Sequence, residues 1–254
     1  MKKSLFTIFG LAIMFFASCS KNNQLLKMGT NAAFPPFEYT EGSEIVGFDV
    51  TVSNLIARDY GKELKIVDMS FDGLIAALQA GSIDFIAAGM TATEERRKNV
   101  DFSEAYYSSK QVIIVRSDDT SILSVKDLTA RTIGVQSGTT GEIYASDEIE
   151  KSSIKSFKTG IDASLALKNG AIDAIILDEL PAKEIVRRSP ELKIVDDNFF
   201  TDEYAIAVKK GNTELLNSIN KTIKTIKENG TYQKLIDAFM PVDGKIRLLS
   251  ASEL

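Results

Sequence analysis

A cation follows one copy of a repeated phrase in this chain, and a carboxylate ends the other. Leu78-Gln-Ala-Gly-Ser-Ile-Asp-Phe-Ile-Ala-Ala-Gly89 aligns with Leu167-Lys-Asn-Gly-Ala-Ile-Asp-Ala-Ile-Ile-Leu-Asp178, with Leu, Gly, Ile, Asp and Ile at the same offsets. The first copy runs out in Gly89-Met90-Thr91, with Arg96 just beyond; the second runs out in Asp178-Glu179. Arginine presents a planar fork of N–H donors that matches a carboxylate. A carboxylate that ends an apolar run, here Ala174 to Leu177, wants a partner, and a ligand ammonium is one. Together the two groups suit a small zwitterion. Two plainer readings stay open: Arg96 and Arg97 as solvated helix charges, and Asp178 as a helix N-cap ahead of Pro181.

Other groups bear on the same chemistry. Gly134-Val-Gln136-Ser137-Gly138-Thr139-Thr140-Gly141 follows a strand pattern and opens a helix, a geometry that offers free N–H groups to an anion. It lacks the lysine of a nucleotide loop, and its glycines are spaced wrongly for a dinucleotide fingerprint. A carboxylate fits as well as a phosphate, and a plain tight turn is the alternative. Phe34, Phe37 and Tyr39 share one loop and Phe71 opens a helix, so aromatic faces are available to an aliphatic or cationic group. Phe37 reads as core.

Composition excludes several classes. The chain has no histidine and one cysteine, which removes the commonest general base and the usual zinc ligands. No Asp/Glu spacing matches a calcium loop. No metal, cofactor or catalytic residue is expected. A net charge of −5 is a poor basis for holding nucleic acid.

The elements that must position these residues follow from periodicity. Each repeat copy reads as the end of an amphipathic helix, a glycine C-cap and a short buried strand. Two copies imply two α/β lobes on one plan, with ligands beyond the C-terminal strand ends. Strands are expected at 25–30, 64–68, 83–88, 111–115, 133–135, 156–157, 172–177 and 204–208, with 45–48 and 192–195 extended. Helices are expected at 49–60, 71–80, 161–168, 181–188, 214–228 and 232–239. Residues 31–39 read as a loop, and Thr93 caps a helical turn with Glu94 and Glu95 in it. The runs 111–115 and 204–208 bracket the middle third as a two-strand hinge.

The N-terminus reads as an export signal. Met-Lys-Lys precedes an uncharged run from Leu5 to Ala17, too short to span a membrane, and then Ser18-Cys19-Ser20. Phe16-Ala17-Ser18-Cys19 resembles a bacterial lipobox, which implies cleavage before Cys19 and a lipid on its sulfur. Cleavage there removes Lys2 and Lys3 and no acid, so the mature chain is more acidic.

Together the motifs resemble the periplasmic solute-binding proteins of ABC transporters, in their polar amino-acid group. The phrases are Gly29-Thr-Asn-Ala-Ala-Phe-Pro-Pro-Phe-Glu38, Val46-Gly-Phe-Asp-Val50, Gly89-Met-Thr-Ala-Thr-Glu-Glu-Arg96 running on to Val100-Asp-Phe-Ser103, and Gly134-Val-Gln-Ser-Gly-Thr-Thr140. The resemblance covers about residues 25–240. It implies a two-lobe periplasmic-binding-protein fold of type II, each lobe a mostly parallel sheet flanked by helices. Expected bounds are 1–18 signal, 19–24 lipidated Cys19 and tether, 25–110 and 205–245 lobe one, 111–204 lobe two with flanking hinge strands, and 246–254 tail. It also implies residue roles. Arg96 clamps the ligand α-carboxylate, aided by Thr91, Thr140 and backbone near Gly89 and Met90. Asp178 meets the α-ammonium, and Phe34 and Phe71 wall the side chain. Asn31, Gln136, Ser137 and Glu38 are candidates for reading the side-chain end. Asn31 stands where several members carry an aspartate, which argues against a strict lysine or ornithine preference. The implied partners are a polar L-amino acid, a permease subunit and, through Cys19, a membrane; the implied state is a monomer. Two other functions share the resemblance. One is a cyclohexadienyl or arogenate dehydratase, for which Glu142 or Glu179 is the conceivable acid. The other is the ligand-binding domain of a sensor.

Overall fold

The computed structural model describes residues 25–195, 197, 199–241, 244–250 and 253. The expected signal, Cys19 and the tether lie outside the described residues. Among the described residues no helix is long and apolar enough to cross a membrane.

The chain opens with β1 (Leu25–Thr30), then a small hairpin of β2 (Ala33–Phe34), β3 (Glu38–Glu41) and β4 (Glu44–Val46). Next come α1 (Phe48–Asp59), β5 (Glu63–Asp68), a 3-10 turn (Phe71–Gly73) leading into α2 (Leu74–Gln79), β6 (Phe85–Ile86), α3 (Glu94–Arg97) and β7 (Val100–Phe102). The long β8 (Tyr107–Arg116) leaves this lobe. The second lobe follows with a 3-10 turn (Val125–Leu128), β9 (Thr132–Gln136), α4 (Thr140–Glu148), β10 (Ser153–Phe157), α5 (Gly160–Lys168), β11 (Ala174–Asp178), α6 (Glu179–Arg188) and β12 (Leu192–Val195). The chain returns through β13 (Thr201–Tyr204) and β14 (Ala207–Lys209), and ends with α7 (Thr213–Glu228) and α8 (Thr231–Phe239).

The first sheet has the order β5-β1-β6-β14-β7 and the second β10-β9-β11-β8-β12. In each, the pairings set four strands in one direction and one against them: β14 in the first, β8 in the second. Those two reversed strands are the ones that arrive from the other lobe. Residues 107–110 of β8 pair with β13 rather than with the body of the second sheet, so the crossing is itself a two-strand ribbon.

The repeat has a structural cause that is the same in both lobes. Gly81 and Gly170 take φ of 75° and 71°, and Ser82 and Ala171 close each helix by donating to Ala77 and Ala166 carbonyls at 3.0 and 2.9 Å. The Asp of each copy then locks onto the first strand of its lobe. Asp84 accepts from Lys27 N–H and Asp173 from Thr132 N–H, both at 2.8 Å. The Ile of each copy lies over a glycine of that strand: a Cβ on Gly29 would fall 2.2 Å from Ile83 Cδ1, and one on Gly134 2.4 Å from Ile172 Cδ1. Each lobe is thus keyed by the same Gly–Ile–Asp set, and α7 closes the first lobe with Leu215, Ile219, Ile223 and Ile226 buried on one face.

Several local expectations change. The hinge expected from 111–115 and 204–208 is the pairing of 107–110 with 201–204, because 111–115 lies within the second sheet, and the strand expected at 83–88 is only Phe85–Ile86. The loop at 31–39 contains β2 and the start of β3, strands too short to leave a period-2 signal. The helix from Phe71 begins as a 3-10 turn. The run 204–208 is not one strand: Ile206 N–H donates to the Ser103 hydroxyl at 2.9 Å, so a side chain replaces a ladder bond and β13 ends before β14 begins.

Candidate functional site

The C-terminal ends of β6 and β11 face one cleft between the lobes. Its free volume is only about 10 Å³, room for about one water, so the lobes stand nearly closed on each other. Its walls include Asn31, Phe34, Phe71, Gly89, Thr91, Arg96, Gln136, Thr140 and Asp178, all expected there from sequence. Met90 and Ser137 are not among the lining residues. Met90 is buried in the first-lobe core with Phe71 and Leu74, and its carbonyl accepts from Ala205 N–H at 3.0 Å. Ser137 N–H donates to the Phe157 carbonyl at 2.8 Å. In extended chain, neighbouring residues point to opposite sides, so a contiguous motif cannot put every member into one cleft.

Arg96 owes its direction to a short helix. Thr93 caps α3 by accepting from Arg96 N–H at 3.2 Å, and the four-residue helix turns Arg96 inward while Glu94, Glu95 and Arg97 stay out. Its guanidinium donates to the Thr91 carbonyl and, across the cleft, to the Gly138 carbonyl, both at 2.7 Å. It lies 5.4 Å from the Phe71 ring centroid, a cation–π contact. Among the described residues no carboxylate comes within 4 Å of it. Burial pulls its pKa down to about 10 against the attraction of Asp202 and Asp178, so it is charged at neutral pH.

Asp178 occupies the N-cap position of α6 but makes no capping bond with its side chain. Its Oδ1 accepts instead from the Tyr204 hydroxyl. Among the described residues no cation lies within 4 Å of it either. Burial, and secondly the charge of Asp202, push its pKa up to about 7, while the hydrogen bond from Tyr204 holds it back.

Several expected readers of the ligand are bonded to each other. Gln136 Nε2 donates to Asn31 Oδ1 at 2.9 Å across the cleft, and Asn31 Nδ2 donates to the Met69 carbonyl at 2.9 Å. Gly89 N–H donates to Asp49 Oδ2 at 2.9 Å. Its φ of 53° and its nearness to Phe34, where a Cβ would sit 2.8 Å from Cε1, both require glycine. The glycine loop after β9 turns its Gly138 carbonyl, not its N–H, toward Arg96; that N–H donates to Glu142 Oε2 at 2.6 Å. The loop also meets the first lobe, since a Cβ on Gly138 would fall 3.0 Å from Asp72 Cα.

Two acids complete the floor. Glu38 lines the cleft and is buried; its Oε2, like Asp49 Oδ1, takes no donor from any other group, and the two carboxyls hydrogen-bond each other. Burial, then the neighbouring Asp49, holds its pKa well above the carboxylate range, so it is the protonated member of the pair. Asp49, pushed by burial to about 6, takes hydrogen bonds from the Tyr106 hydroxyl at 2.6 Å and from Gly89, which favour its ionised form. Sequence reasoning placed Asp49 in the first turn of a helix and missed this second role. It also missed Asp202 on β13, which accepts from Thr91 Oγ1 at 2.9 Å, Thr140 Oγ1 at 3.0 Å and Gln111 Nε2 at 2.7 Å. The available signal was alternation: in Thr201-Asp-Glu-Tyr204, Asp202 and Tyr204 share the buried face.

A profile of the bacterial extracellular solute-binding proteins, family 3, matches residues 26–242. The arginine-binding extracellular protein ArtP of Bacillus subtilis is 36% identical over 251 residues, 92% of this chain and 96% of that one. The structure of an ancestral arginine-binding protein bound to arginine is 40% identical, covers 85% of this chain and 98% of its own, and superposes with a TM-score of 0.81. An ancestral arginine-binding protein bound to glutamine is 39% identical, covers 86% and 99%, and has the same TM-score. Matched along nearly all of its folded length, with the same two-lobe architecture, the chain belongs to the bacterial extracellular solute-binding proteins of family 3.

Proposed function

We propose that the chain is the substrate-capturing component of an ABC transporter and that it takes a polar L-amino acid, L-arginine foremost. The observation that carries the reading is the pair of buried, opposite, unmatched charges: Arg96 and Asp178 line one cleft, and neither has a counter-ion among the described residues. A zwitterion satisfies both at once. Three of the five guanidinium N–H donors of Arg96 remain for an α-carboxylate. Thr91 and Thr140 backbone N–H groups have no protein acceptor among the described residues and complete that end. Asp178 takes the α-ammonium. The side chain passes between Phe34 and Phe71 toward Glu38, whose carboxyl lines the cleft and suits a guanidinium or amide N–H. Asn31 is committed to Gln136 and Met69, which leaves Glu38 as the reader of a cationic end. The relatives named for arginine, and those solved with arginine or glutamine, support the same class.

Capture works by closure. The lobes, 25–110 with 205–245 and 111–204 with its flanking hinge strands, rotate about the β8–β13 ribbon, and the closed form docks on a permease. Two charge-assisted anchors of about 1.5–3 kcal/mol each are consistent with micromolar binding, about −8 kcal/mol. Export as a monomer anchored by a lipid on Cys19 belongs to this proposal, as does the absence of an enzymatic role. Glu142 and Glu179, the acids conceivable for a dehydratase, are bonded to Gly138 and Lys183 and do not line the cleft.

The test is a thermal-shift screen of the soluble form, stripped of ligand by mild unfolding, against the common L-amino acids with ornithine, citrulline and cystine. A ligand that binds only the folded state raises its melting point. A large shift with arginine or a few polar relatives is expected. No shift with any amino acid, joined by turnover of prephenate or arogenate, would replace this reading with the enzyme.

A further inference from the structure

Asp202 belongs to the body of neither lobe. It sits on β13, in the ribbon that joins them, and is buried. One carboxylate oxygen accepts from the Thr91 hydroxyl, which comes from the first lobe. The other accepts from the Thr140 hydroxyl at the start of α4 and from Gln111 Nε2 on β8, both of the second lobe. Three donors from three elements fill most of the four sites that a carboxylate offers.

We propose that Asp202 is a positioning residue that ties the two lobes together behind the cleft by fixing the Thr91 and Thr140 hydroxyls, and so slows ligand release. The inference rests on the amino-acid reading of the cleft. A hydroxyl has one proton to donate, and both are committed to Asp202. The two threonine oxygens therefore offer only lone pairs to a ligand. They are acceptors for an ammonium, and the α-carboxylate falls to Arg96 and to backbone N–H groups. The help at the α-carboxylate that the family resemblance implies for Thr91 and Thr140 then comes from their backbone N–H groups. The geometry also links closure to polarity: the hydroxyl of the first lobe and that of the second share one carboxylate only while Thr91 and Thr140 stand on either side of it.

Asp202→Asn keeps the shape but replaces one acceptor oxygen with a donor, so at least one of the three donors loses its partner and the hydroxyls are free to turn. Binding of L-arginine should weaken about 10- to 100-fold, the worth of a hydrogen bond to a charged group, with the change in the dissociation rate. The deciding readout is a double-mutant cycle with Thr140→Val, followed by calorimetry and stopped-flow kinetics. If Asp202 acts through the hydroxyl, Asp202→Asn with Thr140→Val binds no more weakly than Asp202→Asn alone. Multiplying losses, or unchanged release from Asp202→Asn, would overturn the proposal. Should Asp202→Asn fail to fold, Thr91→Val and Thr140→Val provide the same test: hydroxyls that share a carboxylate lose less together than the product of their separate losses, and independent ones multiply. If the wild-type protein binds no amino acid, the reading of the cleft fails, which is a distinct result.

Discussion

Replacing Arg96 by alanine separates binding from folding. In the wild-type cleft the guanidinium uses two N–H groups, on the Thr91 and Gly138 carbonyls, and keeps the rest for the ligand. A forked contact to an α-carboxylate supplies two charge-assisted hydrogen bonds of about 1.5–3 kcal/mol each. Their loss amounts to about 3–6 kcal/mol, or about a 10²- to 10⁴-fold increase in Kd, at about 1.4 kcal/mol per tenfold. Folding should change far less. Two carbonyls lose a donor, which costs about 1–3 kcal/mol apiece if they stay dry, but the cleft admits water to an alanine and a desolvated cation is removed. Calorimetry against L-arginine and a melting curve on the same sample check both sides. Retention of Kd within about threefold, with a normal melting curve, would refute the clamp. Arg96→Lys sharpens the test. Lysine keeps the charge as a point and loses the fork, so it should recover only part of the affinity. Full recovery would mean that charge alone, and not bidentate geometry, holds the carboxylate.

The other expectations concern the acids and the approach of the lobes. Asp178→Asn should weaken binding of every amino acid alike, and should raise the melting temperature of the ligand-free protein by a few degrees at pH 8, because it removes a buried charge with no cationic partner; a change of preference at constant affinity would contradict the assignment. Since burial raises the Asp178 carboxyl from 3.8 to about 7 in the ligand-free protein, the folded state holds a proton that the unfolded state has lost, so stability falls as pH rises from about 4 to about 7. Binding to the ionised form runs the other way: affinity should rise with pH up to about 7 and be about 100-fold weaker at pH 5 than on the plateau, measured as Kd against pH; a flat profile would exclude Asp178 as the ammonium's partner. Glu38→Gln should cost arginine much more than glutamine, and wild-type protein should release more protons on binding arginine than glutamine when calorimetry is repeated in buffers of different ionisation enthalpy. Gly138→Ala should weaken all ligands about tenfold, because a side chain at φ 78° is strained and its Cβ meets Asp72 only when the lobes are together; small-angle scattering should show a larger open fraction at saturating wild-type ligand concentration.

What was legible depended on whether a residue's role was written locally. The repeat was readable because cap, buried Ile and strand-locking Asp follow one another within a few positions, so one lobe's physics appears twice in the chain. The small sheet at 33–46 left little pattern because strands of two to four residues are too short for a period to identify them. The break at Ala205 and Ile206 depends on Ser103, a hundred residues away. At the site, Arg96 and Asp178 stood out as charges at the ends of apolar runs. Asp49 did not, because an acid in the first turn of a helix is the ordinary case, and nothing near it in sequence says that Gly89, Tyr106 and Glu38 surround it. Asp202 was missed because the strand was expected to start at Tyr204, three residues late, and its partners lie on other elements.

The two lobes share one architectural key and differ where their strands end, and this difference defines the function proposed for them. A Gly at one mouth lets Phe34 and Asp49 close on the backbone, and an Asp at the other brings in a charge that the core does not neutralise. Evolution toward stability alone would pair Arg96 with an acid or replace Asp178 by an amide, and either change would remove the feature that selects a zwitterion. The cost is contained by distributing it. Arg96 rests on two carbonyls and an aromatic face. Asp178 rests on Tyr204, and Asp202 takes three neutral donors so that its charge need not meet the guanidinium directly. Because the Gly138 carbonyl that helps Arg96 comes from the second lobe and the hydroxyls that hold Asp202 come from both, the supports of Arg96 and Asp202 are complete only while the lobes are together. A ligand that joins Arg96 to Asp178 therefore draws on contacts that closure itself makes, and binding and closure become one equilibrium rather than two.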